Sequence, residues 1–411
     1  MPWMETCAVT ERMRMVLEWA KGQLNKTELA EFFGVSRPTV DKWLGRYQRL
    51  GLDGMKDLSK APSRHPNQIP LEICRRVMAF KHLHKNWGPR KLRAGLIRAD
   101  GLACWPASST IGDILRREGL SGRRQLRRRV PSYTEPFAAC KEPNDVWCVD
   151  FKGHFRTADG CRCDPLTLTD AASRYLLTCR VMKNTGLEAT QRVMREAFEE
   201  YGLPAAIRSD NGVPFAGQGV LGLTRLSLWW IKLGIKPERI SPGSPQENGR
   251  HERFHLTLKQ ETASPPMGTL AAQQRRFDEF QLEYNRDRPH EALGQQSPGG
   301  IYVRSHRAYK PPPKEVEYPS GMLSRRVQEK GEFYWRSEGI FLSEALRRER
   351  IGLRQLNDRY WSVEFMHLHL GLLDGWRCCL VPRRKEAMLR ASLDRCSASA
   401  ALQQSNDPTE V

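Results

Sequence analysis

Three acidic residues of this sequence stand in settings where a carboxylate is either paired or functional. Asp150 lies inside the apolar, alternating run 146–151, where burying an unpaired charge costs free energy. Asp210 ends a short strand-like run and enters the turn Asn211-Gly212, which would leave its carboxylate exposed. Glu252 stands near the start of a helical pattern. Together the three carboxylates could hold divalent metal ions.

Paired metal ions provide a general route for in-line displacement at a phosphodiester. Two hard cations about 3.5–4 Å apart activate the attacking oxygen and stabilise the leaving oxygen, and Mg²⁺ or Mn²⁺ takes its ligands from carboxylates. Lys259 follows Glu252 by seven residues, so the two side chains share one helix face, two turns apart. That face would offer a carboxylate for a metal ion and a cation for a phosphate.

Each acid also has an ordinary structural alternative. Asp150 could form a salt bridge within its strand, Asp210 could serve the turn, and Glu252 could belong to a solvated helix face. The spacing alone leaves these alternatives open.

The sequence around the acids predicts a mixed α/β layer that would position them. Alternating apolar residues are typical of strands, and an apolar face at spacings of three and four is typical of a packed helix. In chain order we expect strands at 146–151, 166–170 and 174–182, a crossover helix at 185–201, a strand at 205–209 and a helix at about 270–285.

The acids and their flanks resemble the integrase-type catalytic core of Asp/Asp/Glu transposases and retroviral integrases. The matching pieces are the strand 147–151, the turn Ser209-Asp210-Asn211-Gly212 and the motif Pro245-Gln246-x-Asn248-Gly249-x-x-Glu252-Arg253-Phe254, followed by Leu258-Lys259. The resemblance implies an RNase H-like α/β core that uses two Mg²⁺ (or Mn²⁺) ions per active site. It assigns the catalytic and metal-ligand roles to Asp150, Asp210 and Glu252.

The same resemblance implies further contacts with the nucleic acid. Lys259 is expected to contact DNA near the scissile phosphate. Near the mouth of the active site we expect Asn211, Gln246 and Asn248.

The position of the third acid departs from the family pattern. Many relatives place 35 residues between the second Asp and the Glu, whereas 41 residues separate Asp210 from Glu252. Glu247 would leave 36, but it precedes Asn248-Gly249, and the acid of the family follows this step on the helix. We therefore prefer Glu252, keep Glu247 as the alternative, and place the additional residues in 215–234.

The amino-terminal region has the pattern of a helix-turn-helix. Apolar spacings predict three short helices between about 11 and 50, with Asn25 and Ser36 as caps and Gly34 in the turn. The stretch 27–43 resembles the helix-turn-helix of bacterial insertion-sequence transposases, whose third helix would enter a major groove; a plain three-helix bundle is the alternative. The predicted DNA contacts on this helix are Arg37, Thr39, Lys42 and Arg46.

A second helical block resembles the second DNA-binding module of the same transposases. A basic linker follows it, and its charges would track phosphates rather than read bases, so its contribution to binding should fall with salt. The linker arginines are Arg123, Arg124, Arg127, Arg128 and Arg129.

The charge distribution also favours a polyanionic partner. The chain of 411 residues carries a formal net charge of +19, and residues 1–140 hold 26 Lys and Arg against 13 Asp and Glu. The eleven cysteines lack zinc-site spacing, and neither a signal peptide nor an uncharged apolar run of 18 residues is found. We therefore expect no membrane association and a place in the bacterial cytoplasm, at the nucleoid.

The predicted organisation is multidomain, with helical modules, then the α/β core, then a small β-barrel. Short alternating runs such as 332–335 and 360–365 predict the barrel, which the family also has. The expected boundaries are a helix-turn-helix domain at 1–62, a second helical (winged-like) domain at 66–120, an arginine-rich linker at 121–142, the catalytic core at 143–305, the barrel at 315–386 and a disordered tail at 387–411.

These features predict a DNA transposase acting on double-stranded DNA. It would bind the terminal inverted repeats of an insertion sequence, cleave at the ends by metal-dependent hydrolysis and join the 3′-OH to target DNA by transesterification. Joining two ends requires a homo-oligomer on DNA, at least a dimer. The alternative is a catalytically silent, transposase-derived sequence-specific DNA-binding protein. A ribonuclease with the same core would leave the two helical modules unexplained.

Overall fold

The computed structural model describes residues 7–60, 68–101, 105–121, 140–217, 219–240 and 249–389. The chain divides into two compact units, Met1–Pro70 and Leu71–Val411. The linker arginines, the tail from residue 390 and the predicted site residues Gln246, Glu247 and Asn248 lie outside the described residues.

The first unit is a bundle of three helices around one apolar core. Asn25 caps the second helix as predicted, because its side chain accepts from the backbone of Glu28 while Glu28 accepts from the Asn25 N–H at 2.8 Å. Ser36 stands at the predicted cap of the third helix, but its hydroxyl bonds Thr39 Oγ1 at 2.9 Å instead of a backbone N–H. The helices are α1 (Ala8–Ala20), α2 (Lys26–Phe32) and α3 (Arg37–Leu50), followed by a 3₁₀ turn at Gly51–Met55.

The second unit begins with another helical module that packs on the α/β core. Its helices are α4 (Leu71–Leu83), α5 (Pro89–Asp100) and α6 (Ser108–Arg117). The module is held to the core by polar contacts: His84 Nδ1 lies 3.0 Å from Glu283 Oε1, and Arg98 donates to the carbonyls of Asp287 and Gln295.

A mixed six-stranded sheet follows, in the order β2-β3-β1-β5-β6 with β4 paired to β3. β1 is antiparallel to β3 and parallel to β5, and β5 is parallel to β6. The elements are β1 (Val146–Phe151), β2 (Phe155–Arg156), β3 (Arg162–Asp170), β4 (Leu176–Met182), α7 (Leu187–Tyr201), β5 (Ala206–Ser209), α8 (Arg225–Lys232), β6 (Lys236–Arg239), α9 (Gly249–Thr262) and α10 (Leu270–Arg286).

Helices cover both faces of this sheet, and the alternation along β1 decides which face receives the acid. Trp147 and Val149 belong to the apolar cluster that also contains Phe198 of α7. Asp150 alternates with them, so it points to the opposite face. There a second apolar cluster joins α9 and α10 to the sheet through Phe254 and other residues.

The carboxyl-terminal region is a β-domain, but it is not a closed barrel within the described residues. Its strands form an antiparallel five-stranded sheet, β13-β12-β11-β10-β7, and a separate hairpin, β8-β9, around a shared apolar core. Closure into the predicted barrel therefore stays a prediction. The strands are β7 (Leu323–Arg326), β8 (Glu332–Trp335), β9 (Glu338–Phe341), β10 (Arg350–Gln355), β11 (Tyr360–Phe365), β12 (Leu368–Asp374) and β13 (Cys379–Leu380).

Helix α8 joins the α/β core to the β-domain. Its Trp229 and Trp230 are buried in the α/β core, whereas Leu228 and Ile231 are buried in the core of the β-domain. Lys232 Nζ at its end lies 2.6 Å from Glu349 of the β-domain. This helix lies in the chain between the second and third predicted acids.

Among the described residues, no helix combines the length and apolar composition needed to cross a bilayer.

Candidate active site

Two of the predicted acids lie near the carboxyl ends of neighbouring strands, Asp150 within β1 and Asp210 directly after β5. β1 and β5 pair in parallel with Val149 opposite Ser209, so Asp150 and Asp210 are the next residues of each chain segment. Adjacent strands lie about 4.7–4.9 Å apart, and residues in register point to the same face. Both side chains are partly exposed. The parallel pairing therefore brings the backbones of Asp150 and Asp210 to the same end of the sheet, and their roles as metal ligands stay predictions.

The turn after β5 is fixed by hydrogen bonds. The Gly212 N–H donates to Asp210 Oδ1 at 3.1 Å, and Asn211 Nδ2 donates to the Ile240 carbonyl at 2.9 Å. Asn211 thus ties the turn to the end of β6, and its predicted contact with DNA stays a prediction.

The third acid lies on the helix that faces Asp150. Glu252 is in the first turn of α9, and its side chain is exposed. His255, three residues later on the same side of the helix, brings Nδ1 to 3.9 Å from Asp150 Oδ2. Lys259, also exposed, continues that side. The helix side that carries Glu252 and Lys259 therefore borders Asp150.

Two histidines that the sequence analysis did not consider join Asp150 in a compact cluster. Thr167 Oγ1 donates to the Asp150 carbonyl at 3.1 Å, and it lies 3.0 Å from His251 Nε2 and 2.9 Å from His255 Nε2. Ligand atoms of Asp150, His251 and His255 all lie within 4.8 Å of one another, and no other such group of three is found among the described residues. Asp210 and Glu252 are outside this group.

The cluster is electrostatically unusual. Burial lowers the pKa of His251 to about 4, so this imidazole is neutral at physiological pH. Burial, together with His251 and Lys152, lowers the pKa of His255 to about 2. The pKa of Lys152 is itself lowered by burial and by the charge of Lys259. Two lysine ammonium groups therefore lie close to a site built from carboxylates and neutral imidazoles.

A buried ion pair anchors the end of α9. Arg288 Nη1 lies 2.7 Å from Glu261 Oε1, with the two side chains only 7% and 12% exposed. Removing one partner of a buried pair leaves the other charge without compensation.

We expect Arg288→Met to lower the free energy of unfolding by about 3–5 kcal/mol, because Glu261 would keep its charge in a buried position. Urea denaturation of the full chain measures the loss. The exposed pair formed by Arg348 and Glu329 supplies the control: Arg348→Met should leave the midpoint nearly unchanged. Equal effects of the two substitutions would show that the buried pair does not hold α9.

The predicted DNA contacts of the first unit divide into two groups. Arg37 and Lys42 are exposed, and Thr39 is half-buried. Arg46 lies with its guanidinium 4.6 Å from the centre of the Trp43 ring and donates to the Lys56 carbonyl at 2.7 Å, so it already has internal partners. Their contacts with DNA stay predictions.

The comparisons with known proteins agree with this architecture. Two family models described as integrase core domain match residues 141–245 and 233–298. A helix-turn-helix domain model matches residues 11–63, and a homeodomain-like domain model matches residues 39–115. The chain thus joins helix-turn-helix DNA-binding modules to an integrase core.

Relatives among curated proteins come from insertion elements. The putative transposase InsD of insertion element IS2E from Escherichia coli is 31% identical over 171 residues, which cover 39% of this chain and 74% of that protein. An uncharacterised 31.7 kDa protein of insertion element IS407 from Burkholderia multivorans is 26% identical, over 59% of this chain and 84% of that protein. A solved structure of the HTLV-2 integrase catalytic core domain in complex with magnesium aligns at 17% identity and a TM-score of 0.32, over 39% of this chain and 98% of that one. The chain belongs to the family of insertion-element transposases with an integrase core.

Proposed function

We propose that this chain is an active DNA transposase that binds the terminal inverted repeats of its element, cleaves at the ends and joins the freed 3′-OH to target DNA. The observation that carries the proposal is the parallel pairing of Val149 in β1 with Ser209 in β5, each followed directly by an aspartate, beside the helix that bears Glu252. A protein that only binds DNA has no need of paired carboxylates beside a basic helix face.

The donor set fits divalent cations. Asp150 offers carboxylate oxygens from β1, Asp210 from the turn directly after the adjacent strand β5, and Glu252 from α9. Carboxylate oxygens are ligands that Mg²⁺ and Mn²⁺ prefer. In the proposal these three residues hold two ions. When bound, such ions lower the pKa of the attacking oxygen and stabilise the charge that develops on the phosphate.

The remaining side chains would bind and orient the DNA. Lys259 lies on the same side of α9 as Glu252, and Lys152 is close enough to Lys259 for their charges to interact. These two ammonium groups supply positive charge for the phosphate next to the scissile bond. The helical modules and the arginine-rich linker would hold the element end in place.

Two displacements complete the proposed reaction. The oxygen of a water molecule bonds to the phosphorus at the element end as the P–O3′ bond breaks, and the departing O3′ takes up the proton that the water loses, which gives a 3′-OH and a 5′-phosphate. That 3′-OH then attacks a target phosphodiester, so one P–O bond forms as another breaks and the displaced O3′ takes up the proton. The protein forms no covalent bond with DNA. Because two element ends must be joined, the active species is at least a dimer on double-stranded DNA at the bacterial nucleoid.

The experiment that tests the proposal uses the full chain, labelled DNA carrying the terminal repeats, and Mg²⁺ or Mn²⁺. We expect nicked ends with a 3′-OH and joined products, both absent with scrambled ends or with chelator. Binding without nicking or joining would favour the catalytically silent DNA-binding protein instead. Cleavage of RNA–DNA hybrids alone would favour a ribonuclease.

A further inference from the structure

His255 lies beside the proposed metal site but has no part in the three-carboxylate arrangement. Its side chain is only 12% exposed, and its two ring nitrogens face different groups. Nε2 lies 2.9 Å from Thr167 Oγ1, and Nδ1 lies 3.9 Å from Asp150 Oδ2. The ring is therefore held in one orientation between β3 and β1.

The hydroxyl of Thr167 determines where the proton of this imidazole lies. A hydroxyl has one proton to donate, and Thr167 gives it to the carbonyl of Asp150, which can only accept. The two imidazole nitrogens beside the same oxygen must then be the donors, so His251 and His255 both carry a proton on Nε2. In the neutral ring, Nδ1 of His255 is left with a lone pair.

The nitrogen that bears this lone pair lies near a carboxylate, at a distance that fits a shared cation. At 3.9 Å, His255 Nδ1 and Asp150 Oδ2 are too far apart for a hydrogen bond. A cation bonded to two atoms at about 2.1 Å each can join atoms separated by up to roughly 4.2 Å. We propose that His255 Nδ1 is an additional ligand of the divalent ion held by Asp150. This inference rests on the proposed metal-dependent function.

Thr167 and His251 act on the ligand set as positioning residues. The Thr167 hydroxyl holds the Nε2 edge of His255 and the backbone of Asp150, so it fixes both proposed ligands relative to each other. His251 is 4% exposed, and its ring packs edge-on against His255 with centroids 4.7 Å apart. Groups that orient a ligand through its second nitrogen are a general feature of protein metal sites.

A nitrogen ligand has a consequence for metal preference. Imidazole suits transition metals, whereas Mg²⁺ strongly prefers oxygen ligands. With His255 in the ligand set, the site should favour Mn²⁺ over Mg²⁺ more than a site made of carboxylates alone.

Mn²⁺ bound to the full chain is the probe that tests the assignment. Electron spin echo spectroscopy detects a directly bonded imidazole nitrogen, and ¹⁵N-labelled histidine in the unsubstituted protein identifies the signal without any variant. We expect this nitrogen signal, and we expect His255→Gln to remove it and to raise the dissociation constant for Mn²⁺ at least about tenfold. The affinity for Mg²⁺ should fall less. Gln is chosen because its amide can still donate to Thr167.

His306→Gln is the matched control, since this histidine is exposed and lies outside the cluster. It should keep both the nitrogen signal and the affinity for Mn²⁺. Circular dichroism and thermal unfolding establish that each variant is folded.

The outcomes separate this inference from the proposed function. Bound Mn²⁺ without a histidine nitrogen signal, in protein that still joins DNA, overturns the inference and leaves the function standing. A signal that survives in His255→Gln but disappears in His251→Gln assigns the ligand to His251 and also overturns it. Absence of Mn²⁺ binding together with absence of joining overturns both.

Discussion

Asp150→Asn should reduce cleavage and joining by about a thousandfold or more while the protein still binds element-end DNA. The substitution keeps the shape of the side chain but removes the charge that the proposed ions require. Loss of a metal ligand at a phosphoryl-transfer site removes several kcal/mol of transition-state stabilisation, and about 4 kcal/mol corresponds to a thousandfold. DNA binding should persist because, in the proposal, most of the phosphate contacts come from the helical modules and the linker.

The measurement pairs two assays on the same preparation. A gel-shift titration gives the affinity for labelled terminal DNA, and a joining assay with pre-nicked ends gives the rate of the second step. Asp358→Asn, an exposed carboxylate of the β-domain, is the control and should leave both values unchanged. If Asp150→Asn joined DNA at a rate within a few-fold of that of the unsubstituted protein, Asp150 would not be an active-site residue.

The same site shows which features could be predicted from the sequence. Asp150 stood out because an acid in the middle of an apolar strand has few structural roles, and the strand is observed at the predicted residues. The chain from β1 to β5 passes through three further strands and α7, so the parallel pairing that brings Asp150 and Asp210 to one end of the sheet is seen only in the structure. Local alternation and helix spacing therefore predicted most of the strands and helices of the α/β core.

Features that depend on packing between distant segments could not be predicted from local sequence patterns. His251 and His255 have the i, i+4 spacing of one helix face, a signal visible in the sequence, but only the packing of α9 on β3 shows that this face meets Thr167. The histidine spacing alone is equally compatible with a solvated helix. The cluster of Asp150, His251 and His255 thus depends on contacts between segments that are far apart in the chain.

The carboxyl-terminal domain illustrates the same limit. The strands at Glu332–Trp335 and Tyr360–Phe365 were predicted from alternation. Alternation does not state which strands pair, and here β8 and β9 form their own hairpin instead of extending the five-stranded sheet. The periodicity of α8 likewise does not predict that this helix is buried in two different cores, because almost every one of its residues is apolar or buried.

Glu252→Gln should reduce the rate of joining by about a thousandfold, whereas Glu247→Gln should keep this rate within a few-fold of that of the unsubstituted protein. His255 of α9 lies 3.9 Å from Asp150, and Glu252 and Lys259 lie on the same side of this helix. In the proposed site the Glu252 carboxylate is the third metal ligand, so its loss would remove several kcal/mol of transition-state stabilisation.

Joining of pre-nicked ends, measured beside DNA affinity, distinguishes the two acids. Because each variant exchanges one Glu for Gln only five residues from the other, each is the matched control for its partner. The interval from Asp210 to Glu252 contains α8, which is buried in both the catalytic core and the β-domain, so a long interval has a structural reason. Loss of joining in Glu247→Gln, with joining retained in Glu252→Gln, would assign the third ligand to Glu247 and shorten the interval to 36 residues.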